Sequence, residues 1–214
     1  MKKKIVLASI VALSLALLVA VGVTVAYLFV ETDPVENIFT PSDINVSIEE
    51  SAINGTTMGN SYKMIPGEDM FKDPKVTASG DIPYYVFVKI VENGEVTIGE
   101  NKYFFDDFLA YAIADEWKVL SGDTGNTTTG NDTIVIYREM AANTALTNEP
   151  VLAGNKVTTS TEVTKQMMNA YTDGSIKLTF TAYAVQQLKG TDASGVDTYF
   201  TAAEAWAIAT ASKN

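Results

Sequence analysis

The side chains with the clearest chemical potential in this chain are carboxylates, because its 214 residues include no His and no Cys. Asp106 and Asp107 are adjacent, and paired carboxylates can serve as acid and base in glycoside hydrolysis. The surrounding segment is predicted to be helical, however, and adjacent residues on a helix do not face each other. Acids near a helix start also interact favourably with the helix dipole. We therefore interpret this pair as structural, and Asp115 and Glu116 as a solvated helix exit.

A second group of oxygen ligands lies in the polar loop 121–132. Asp123, Asn126, Asn131 and Asp132 could present oxygens to Ca²⁺. Their spacing does not match the D-x-[DN]-x-[DN]-G pattern of recognised calcium loops. We interpret the loop as a flexible hairpin tip, with weak Ca²⁺ binding as the alternative, and we expect no other cofactor.

Missing residue types exclude several enzyme classes. Without His, neither HExxH zinc proteolysis nor a Ser-His-Asp triad is available. The G-x-S-x-G, S-x-x-K, Walker and G-x-G-x-x-G patterns are also absent.

Tyr84, Tyr85 and Phe87 could stack on a sugar, but at least one face of a strand must be core, so we assign them to the core. Trp117 and Trp206 are likewise interpreted as core anchors, and no catalytic residue is predicted.

The N-terminus has the features of an export signal. It begins with a Lys-rich stretch, and residues 5–30 carry no charge. A basic start, a long apolar run and a small-residue end predict a secretory signal peptide, residues 1–26, cleaved between Ala26 and Tyr27.

Two alternatives remain for this segment. Cleavage after Ala16 or Ala20 is less favoured. The apolar run could also stay in place as a transmembrane helix, since it is long enough for a bilayer of roughly 30 Å, with the lysines on the inside. Each alternative places the rest of the chain outside the membrane, secreted or at the cell surface.

The charge balance excludes some partners. Removing residues 1–26 removes three lysines and no acid, which changes the formal charge from −11 to −14. Nucleic acids and anionic lipid surfaces are bound through excess Lys and Arg, so neither is expected as a partner. Contact with a membrane is expected only through an uncleaved N-terminal segment. Without Cys there is no disulfide, and the exported part is long enough for one domain with its own core.

An extended arm is predicted at residues 27–42, ahead of a domain at 43–214. Pro34 and Pro41 discourage helix in the arm. Its apolar residues would be poorly placed in water, and they are Tyr27, Leu28, Phe29, Val30, Val35, Ile38 and Phe39.

The domain is predicted to be rich in strands. Ile44, Val46 and Ile48 alternate with polar residues. A Pro66-Gly67 turn leads into a strand over 69–79, which must lie at an edge or be bulged because Pro74 cannot donate a ladder bond. Gly80-Asp81 turns the chain into the aromatic strand 84–91, and the sequence Glu-Asn-Gly at 92–94 predicts a second hairpin.

Further elements follow along the chain. We expect a helix over 103–114, with Phe104, Phe108, Tyr111 and Ala112 on one face. A short extended segment (117–120), the loop, a strand from Thr133 and an irregular link to Val157 come next.

The last third ends in helix, strand and helix. A short helix should start at a capping box of Thr159 and Glu162. It is followed by a turn at Asp173-Gly174 and by a long strand from Ser175. A second capping box at Thr201 and Glu204 begins a C-terminal helix. The fold class predicted from these elements is mainly β, a jelly-roll β-sandwich with short helical insertions and a C-terminal helix.

Several stretches together resemble the TasA/camelysin family of exported Gram-positive proteins, which a SipW-type signal peptidase processes. They are the Lys-rich signal, "PGEDMFKDPKVTASGDIPYYVFVKI" at 66–90, and "TAYAVQQ" with "TAAEAWAI" near the C-terminus. Residues 95 to 170 match only in spacing around Trp117. Ser79 and Phe87 depart from the family, where Asn and a basic residue are common, so the exposed face of that strand is expected to differ. The motif positions are Pro66, Gly67, Lys72, Asp73, Pro74, Val76, Gly80, Asp81, Pro83, Tyr85 and Val86.

The resemblance implies a jelly-roll subunit of extracellular fibres in the biofilm matrix. An N-terminal segment of one subunit would complete the sheet of its neighbour. The implied partners are other copies of the chain, a SipW-type signal peptidase and other matrix proteins. The metalloprotease activity in the name camelysin is not carried over, because no His supports zinc chemistry.

Two functional hypotheses from different classes follow. The first is a structural protein whose arm, exposed by signal cleavage, pairs with a sheet edge of the next molecule and so builds filaments. In the alternative to this exchange, the arm folds back on its own domain. The second hypothesis is a monomeric binding module that recognises a glycan or a protein through loops such as 121–132. An acid-based hydrolase is the weakest hypothesis.

Overall fold

The described part of the chain is built mainly from antiparallel β-strands. The computed structural model describes residues 43–51, 62–122, 132–171 and 175–211, which belong to a compact unit beginning at Pro41. The signal peptide and the arm predicted at 1–26 and 27–42 lie outside the described residues.

The elements run in the following order. The strands are β1 (Ile44–Glu49), β2 (Asp69–Phe71), β3 (Lys75–Gly80), β4 (Tyr84–Asn93), β5 (Glu95–Ile98), β6 (Asn101–Phe104), β7 (Leu109–Ala110), β8 (Lys118–Ser121), β9 (Thr133–Met140), β10 (Thr144–Pro150), β11 (Lys156–Thr159), β12 (Lys177–Gln186), β13 (Leu188–Thr191) and β14 (Asp197–Tyr199). The helices are α1 (Phe105–Phe108), α2 (Lys165–Ala170) and α3 (Ala202–Ala211), with a 3₁₀ turn at Ala153–Asn155.

The longer strands form two sheets. The β3 sheet has the order β1-β3-β10, and the β4 sheet has the order β12-β4-β9-β8. A smaller sheet, β2-β11-β7, and the pairs β5-β6 and β13-β14 complete the strand pairings. The chain crosses from the β3 sheet to the β4 sheet between β3 and β4, and it returns between β9 and β10.

The main core lies between these two sheets. Val76 of β3 and Leu146 of β10 share one apolar cluster with the even-numbered residues 84–90 of β4 and with Ile134 and Ile136 of β9. This sharing follows from the two-residue period of a strand, which points alternate side chains to one face.

The opposite face of the β4 sheet is covered by α3. The odd-numbered residues Tyr85 and Phe87 pack there with Ala205 and Trp206, and the Phe87 and Trp206 rings are 5.4 Å apart. β4 is therefore buried on both faces, which explains its nearly continuous apolar sequence. The expectation that Phe87 changes an exposed face is wrong, because Phe87 is 0 % exposed.

A third apolar cluster joins the β5-β6 pair to α2. Its buried members are Val96, Phe108, Val163 and Met167. The helix α2 has six residues, which are too few for independent stability. It is stabilised by packing against this cluster.

The strand predicted over 69–79 is two strands in different sheets. β2 pairs with β11, whereas β3 is the central strand of the β3 sheet, so it is neither an edge nor bulged at Pro74. Pro74 lies in the link between them, where its missing N–H disturbs no ladder, and its carbonyl accepts from Val151 N at 2.9 Å.

Two of the predicted elements are wrong. The helix expected over 103–114 is a single turn, α1, between β6 and β7, because residues 109–110 pair with β11 instead of continuing the helix. The link expected to be irregular contains β10 and the 3₁₀ turn. Asn148 has φ 52° there, and the β10 ladder shifts register between Leu146 and Glu149, so the strand has a weak sequence pattern.

Two predicted boundaries also differ. Glu-Asn-Gly at 92–94 does not close a hairpin, since β5 pairs with β6 and not with β4. The predicted helix near Thr159 exists as α2, but Thr164 caps it by accepting from Met167 N at 3.2 Å, while Thr159 ends β11. The turn predicted at Asp173-Gly174 falls outside the described residues.

Other expectations are confirmed. The apolar residues of β1 alternate as predicted, and β8, β9 and β12 form where strands were expected. The capping box of α3 is reciprocal: Thr201 N donates to Glu204 Oε2 at 2.8 Å, and Glu204 N donates to Thr201 Oγ1 at 3.3 Å.

Candidate functional site: a sheet edge and a carboxylate cluster

The Lys-Asp-Pro part of the sequence motif forms a buried polar link between β2 and β3. Lys72 is 9 % exposed, and its Nζ lies 3.0 Å from Glu50 Oε1. The Tyr62 hydroxyl donates to the same oxygen. The Lys72 ammonium also lies 5.3 Å from the centre of the Phe180 ring, a cation–π contact. The lysine thus joins the end of β1 to β12.

Asp73 is even more buried, at 1 % exposure. It accepts from Ser51 N at 3.0 Å, from Ser51 Oγ at 2.6 Å and from Lys75 Nζ at 2.7 Å. Burial by itself would raise the pKa of this carboxyl, but the hydrogen bonds from Lys75 and Ser51 outweigh it and hold the pKa below its usual value. Asp73 is therefore a charged structural residue.

The other motif residues are also structural. Gly67 has φ 80° in the turn with Pro66, where Glu68 N donates to Ile65 O. Gly80 ends β3 against the Tyr84 ring, which a Cβ would meet at 2.9 Å. The remaining positions lie in the core or in the connections around it. Val76 and Val86 are fully buried. In the connections, Asp81 accepts from Asp43 N, Pro83 O accepts from Gln187 N, and the Tyr85 hydroxyl donates to Phe200 O.

Three carboxylates converge where β4, α1 and β9 meet. Glu92, Asp106 and Asp132 each place an oxygen within 4.8 Å of the other two. The arrangement is fixed by the backbone, because Glu92 N donates to Asp132 O at 2.9 Å beside the β4–β9 ladder. Oxygen ligands of this kind suit Ca²⁺ or Mg²⁺, so this carboxylate cluster could hold a divalent cation or a proton.

Glu92 is the buried member of the cluster, at 3 % exposure. Tyr111 donates its hydroxyl to Glu92 Oε1 at 2.6 Å. Burial raises the Glu92 pKa to about 7; the Tyr111 bond opposes this shift, and the charges of Asp106 and Asp132 add to it. Burial and the bond to Glu92 raise the pKa of Tyr111 as well. Such a carboxyl can exchange a proton near neutral pH, but its burial keeps it away from a large substrate.

We expect the stability of the domain to fall between about pH 4.5 and 7 because of Glu92. The folded state raises the pKa of this group above the unfolded value, so its contribution is complete at low pH and is lost as the pH rises through 7. A pKa unit corresponds to about 1.4 kcal/mol, which gives an effect of about 3 kcal/mol. Thermal unfolding of the Glu92→Gln variant should show a higher Tm than the parent at pH 8 and little difference at pH 4.5.

Glu95→Gln is the matched control, since the Glu95 side chain is 46 % exposed and pairs with Lys102 at the surface. It should leave the pH dependence as in the parent. A Glu92→Gln variant whose stability falls with pH in parallel with the parent would show that Glu92 is not responsible.

The sheet edges differ in how well they are protected. β2 and β7 have three and two residues, and β8 and β10 are interrupted by register shifts. Short length and bulges are common ways to prevent edge pairing. β1 and β12, with six and ten residues, run in unbroken register. Within the described ranges, each of them pairs with a single strand, β3 and β4 respectively.

β12 is the longest edge strand in the described part of the chain, and both of its faces are apolar. Leu178 and Phe180 belong to the main core, whereas Tyr183 and Val185 belong to the cluster under α3. All four are half-buried. The β4 residues directly opposite, such as Ile90 opposite Phe180, are buried because strands flank them on both sides.

The structure separates the acidic residues that the sequence had grouped together. Asp107 accepts from Phe104 N at 2.7 Å and is structural, whereas its neighbour Asp106 joins the carboxylate cluster. Asp115 and Glu116 are exposed, with Glu116 3.9 Å from Arg138, but the expectation that they follow a helix is wrong, since β7 precedes them. Asp132 is brought to the cluster, whereas the other proposed calcium ligands fall outside the described residues: Asp123, Asn126 and Asn131.

The aromatic residues assigned to the core pack there as predicted, whereas the roles of Glu92 and Tyr111 were not predicted. Tyr84, Tyr85 and Phe87 are buried, and Trp117 is anchored through its indole N–H to Pro150 O at 2.8 Å. Glu92 and Tyr111 were not expected at a site. The two-residue alternation of β4, continued past Ile90, places Glu92 on the core face, and that pattern could have identified it.

None of the helices in the described ranges has the length and hydropathy of a membrane span. No family model, no curated protein and no solved structure matches this chain.

Proposed function

We propose that this protein is an exported structural subunit that assembles into extracellular fibres by adding its N-terminal arm to a sheet edge of the next copy. The observation that supports this most is the ten-residue strand β12, which runs in unbroken register with β4, is apolar on both faces and ends the strand order of its sheet. Edge strands pair readily with other strands. A head-to-tail contact between copies does not close and therefore produces filaments.

The proposed fold of the subunit is a jelly-roll β-sandwich. The chain passes from one main sheet to the other between β3 and β4 and again between β9 and β10, and such crossings between two sheets support a jelly-roll connection. The proposal includes the resemblance to the TasA/camelysin family, processing by a SipW-type signal peptidase, and a place in the biofilm matrix or on the cell surface.

The test compares the chain starting at Tyr27 with the chain starting at Asp43. The described members of the three apolar clusters lie between Ile44 and Trp206, so both chains keep them. We expect filaments in electron micrographs of the longer chain and none of the shorter one. A Leu28→Asp, Val30→Asp double variant keeps the arm's length and should also fail to assemble.

Circular dichroism and thermal unfolding show whether each form is folded. If the longer chain stays monomeric over a range of salt and calcium concentrations, the fibre hypothesis is wrong. Binding of a glycan by that monomer would then favour a binding module.

A further inference from the structure

The small sheet β2-β11-β7 turns one face to the core and the other to solvent. Residues directly opposite each other on antiparallel strands point to the same face. Phe71 is opposite Lys156, and Asp69 and Ala110 are both opposite Thr158. These five residues therefore share the outer face, while the alternate residues of β11 are buried on the inner one. The Phe71 side chain is 54 % exposed on the outer face.

Three of these side chains form a fixed array of hydrogen-bonding groups. Asp69 accepts from Lys156 Nζ at 2.7 Å and from Thr158 Oγ1 at 2.6 Å. The Lys156 and Asp69 side chains are 51 % and 50 % exposed, so solvent reaches both. A carboxylate has about four acceptor positions, and an ammonium has several donors. Both charged groups therefore have capacity for a further partner on the same face as the Phe71 ring.

A groove continues from this array toward β7. Its volume is about 380 Å³, which lies within the range of about 300 to 1,000 Å³ for ligand sites. Lys156 and Thr158 line it together with mainly small residues, which are Ala110, Tyr111, Ala112, Ala153 and Gly154. Because β2 and β7 flank β11, these two strands lie about 10 Å apart. A ligand that contacts both the Phe71 ring and the groove must span about that distance.

We propose that this outer face binds neutral sugar units of a polysaccharide, with one pyranose ring stacked on Phe71 and a following unit in the groove. The C–H groups on one side of a pyranose carry partial positive charge, and the face of an aromatic ring is negative, so the two surfaces attract. Each sugar hydroxyl both donates and accepts, which matches the adjacent carboxylate of Asp69 and ammonium of Lys156. Since Asp69 is already held by two bonds, less conformational freedom is lost on binding.

Charge and polarity favour a neutral sugar over other ligand classes. Asp69 and Lys156 neutralise each other, and the exported chain has 12 basic and 26 acidic side chains once the three lysines of residues 1–26 are removed. An anionic polymer would be repelled by this excess of acid. A protein partner would bury the ion pair away from water, and the desolvation of paired charges offsets the gain. Sugar hydroxyls instead replace water at both charges. This binding uses a sheet face and is separate from assembly through the arm.

The test is isothermal titration calorimetry of the chain starting at Tyr27 with neutral hexasaccharides: cellohexaose, maltohexaose, laminarihexaose and chitohexaose. Polygalacturonate is the anionic probe. We expect at least one hexasaccharide to bind, and the affinity to be about tenfold weaker in Phe71→Ala and in Asp69→Ala. Phe71→Trp keeps a ring and should bind at least as tightly as the parent. Phe71→Leu keeps an apolar side chain without a ring and should lose affinity as Phe71→Ala does.

Tyr199→Ala is the matched control, because Tyr199 is an aromatic residue with 53 % exposure in β14, which pairs only with β13 in the described part of the chain. It should bind the sugar as the parent does. Phe71 and Asp69 are exposed, so their variants should stay folded, and circular dichroism verifies this for each one.

Absence of binding to every hexasaccharide would overturn the proposal, and so would an affinity of Phe71→Leu equal to that of the parent. Binding of polygalacturonate alone would show that the ligand is anionic, which also overturns it. If Phe71→Ala lost filaments and no sugar bound to the parent, the face would be a contact between copies and not a sugar site. Filaments of the parent are scored in the same preparations, so failure of sugar binding and failure of assembly are distinguished.

Discussion

Replacing Asp73 with Ala is expected to destabilise the domain by about 3 kcal/mol at neutral pH. The carboxylate is buried and accepts from the Ser51 backbone, the Ser51 hydroxyl and the Lys75 ammonium. Removing one partner of a buried charged set leaves the others desolvated without compensation, which costs about 3 to 5 kcal/mol. Lys75 is one-third exposed and can be rehydrated, so we expect the lower end. Urea unfolding of the full exported chain measures this difference.

Asp69→Ala is the matched control for this prediction. Asp69 accepts from Lys156 Nζ at 2.7 Å and from Thr158 Oγ1 at 2.6 Å, but its side chain is 50 % exposed. Water can replace these bonds, so a much smaller loss is expected. Equal losses for the two variants would show that burial of Asp73 does not matter.

The pH dependence provides a second check on Asp73. Folding lowers the pKa of this carboxyl, so its stabilisation is present above the unfolded value of about 3.8 and is lost as the pH falls through the folded pKa. The difference between Asp73→Ala and the parent should therefore shrink below about pH 4. Glu92 acts in the opposite direction, since its contribution is lost as the pH rises to about 7.

Replacing Phe87 with Ala is expected to cost about 4 kcal/mol, the largest effect of any substitution considered. The ring is fully buried between Tyr85, Tyr137 and Trp206, with centroids 5.4 to 6.2 Å away. Truncation of a buried Phe loses its transfer energy and leaves a cavity, about 3 to 5 kcal/mol in total. Because domains are stable by only about 5 to 15 kcal/mol, the variant should be near its unfolding threshold.

Because α3 packs against Phe87, the effect of this substitution can also be measured locally, at Trp206 and in the C-terminal helix. Loss of the Phe87 ring should loosen Trp206, so its fluorescence should shift to longer wavelength and the C-terminal helix should become sensitive to protease. Phe71→Ala is the matched control, because Phe71 is 54 % exposed in β2 and should cost little. A Phe87→Ala variant that unfolds at the same urea concentration as Phe71→Ala would contradict the buried position.

Much of the strand content could be predicted from local patterns. The alternation in β1 and β12, the β-branched run of β9 and the Thr201–Glu204 capping box each depend on residues close together in sequence. The helix predicted over 103–114 fails for the opposite reason. Its aromatic spacing fits a helix, but residues 109–110 gain more by pairing with β11, which lies about fifty positions away. Local propensity is weak enough for such tertiary contacts to override it.

The sequence by itself determined that no His or Cys side chain is present, where the motif's turns lie and which strands alternate. These properties depend on residue types and on spacing of a few residues. Only the tertiary structure decided what the motif residues do. It buried Lys72 and Asp73 in a link between sheets, and it brought Glu92, Asp106 and Asp132 together from three elements. It also left β12 at an edge. Burial and strand order depend on contacts between residues distant in sequence, and local patterns do not encode those contacts.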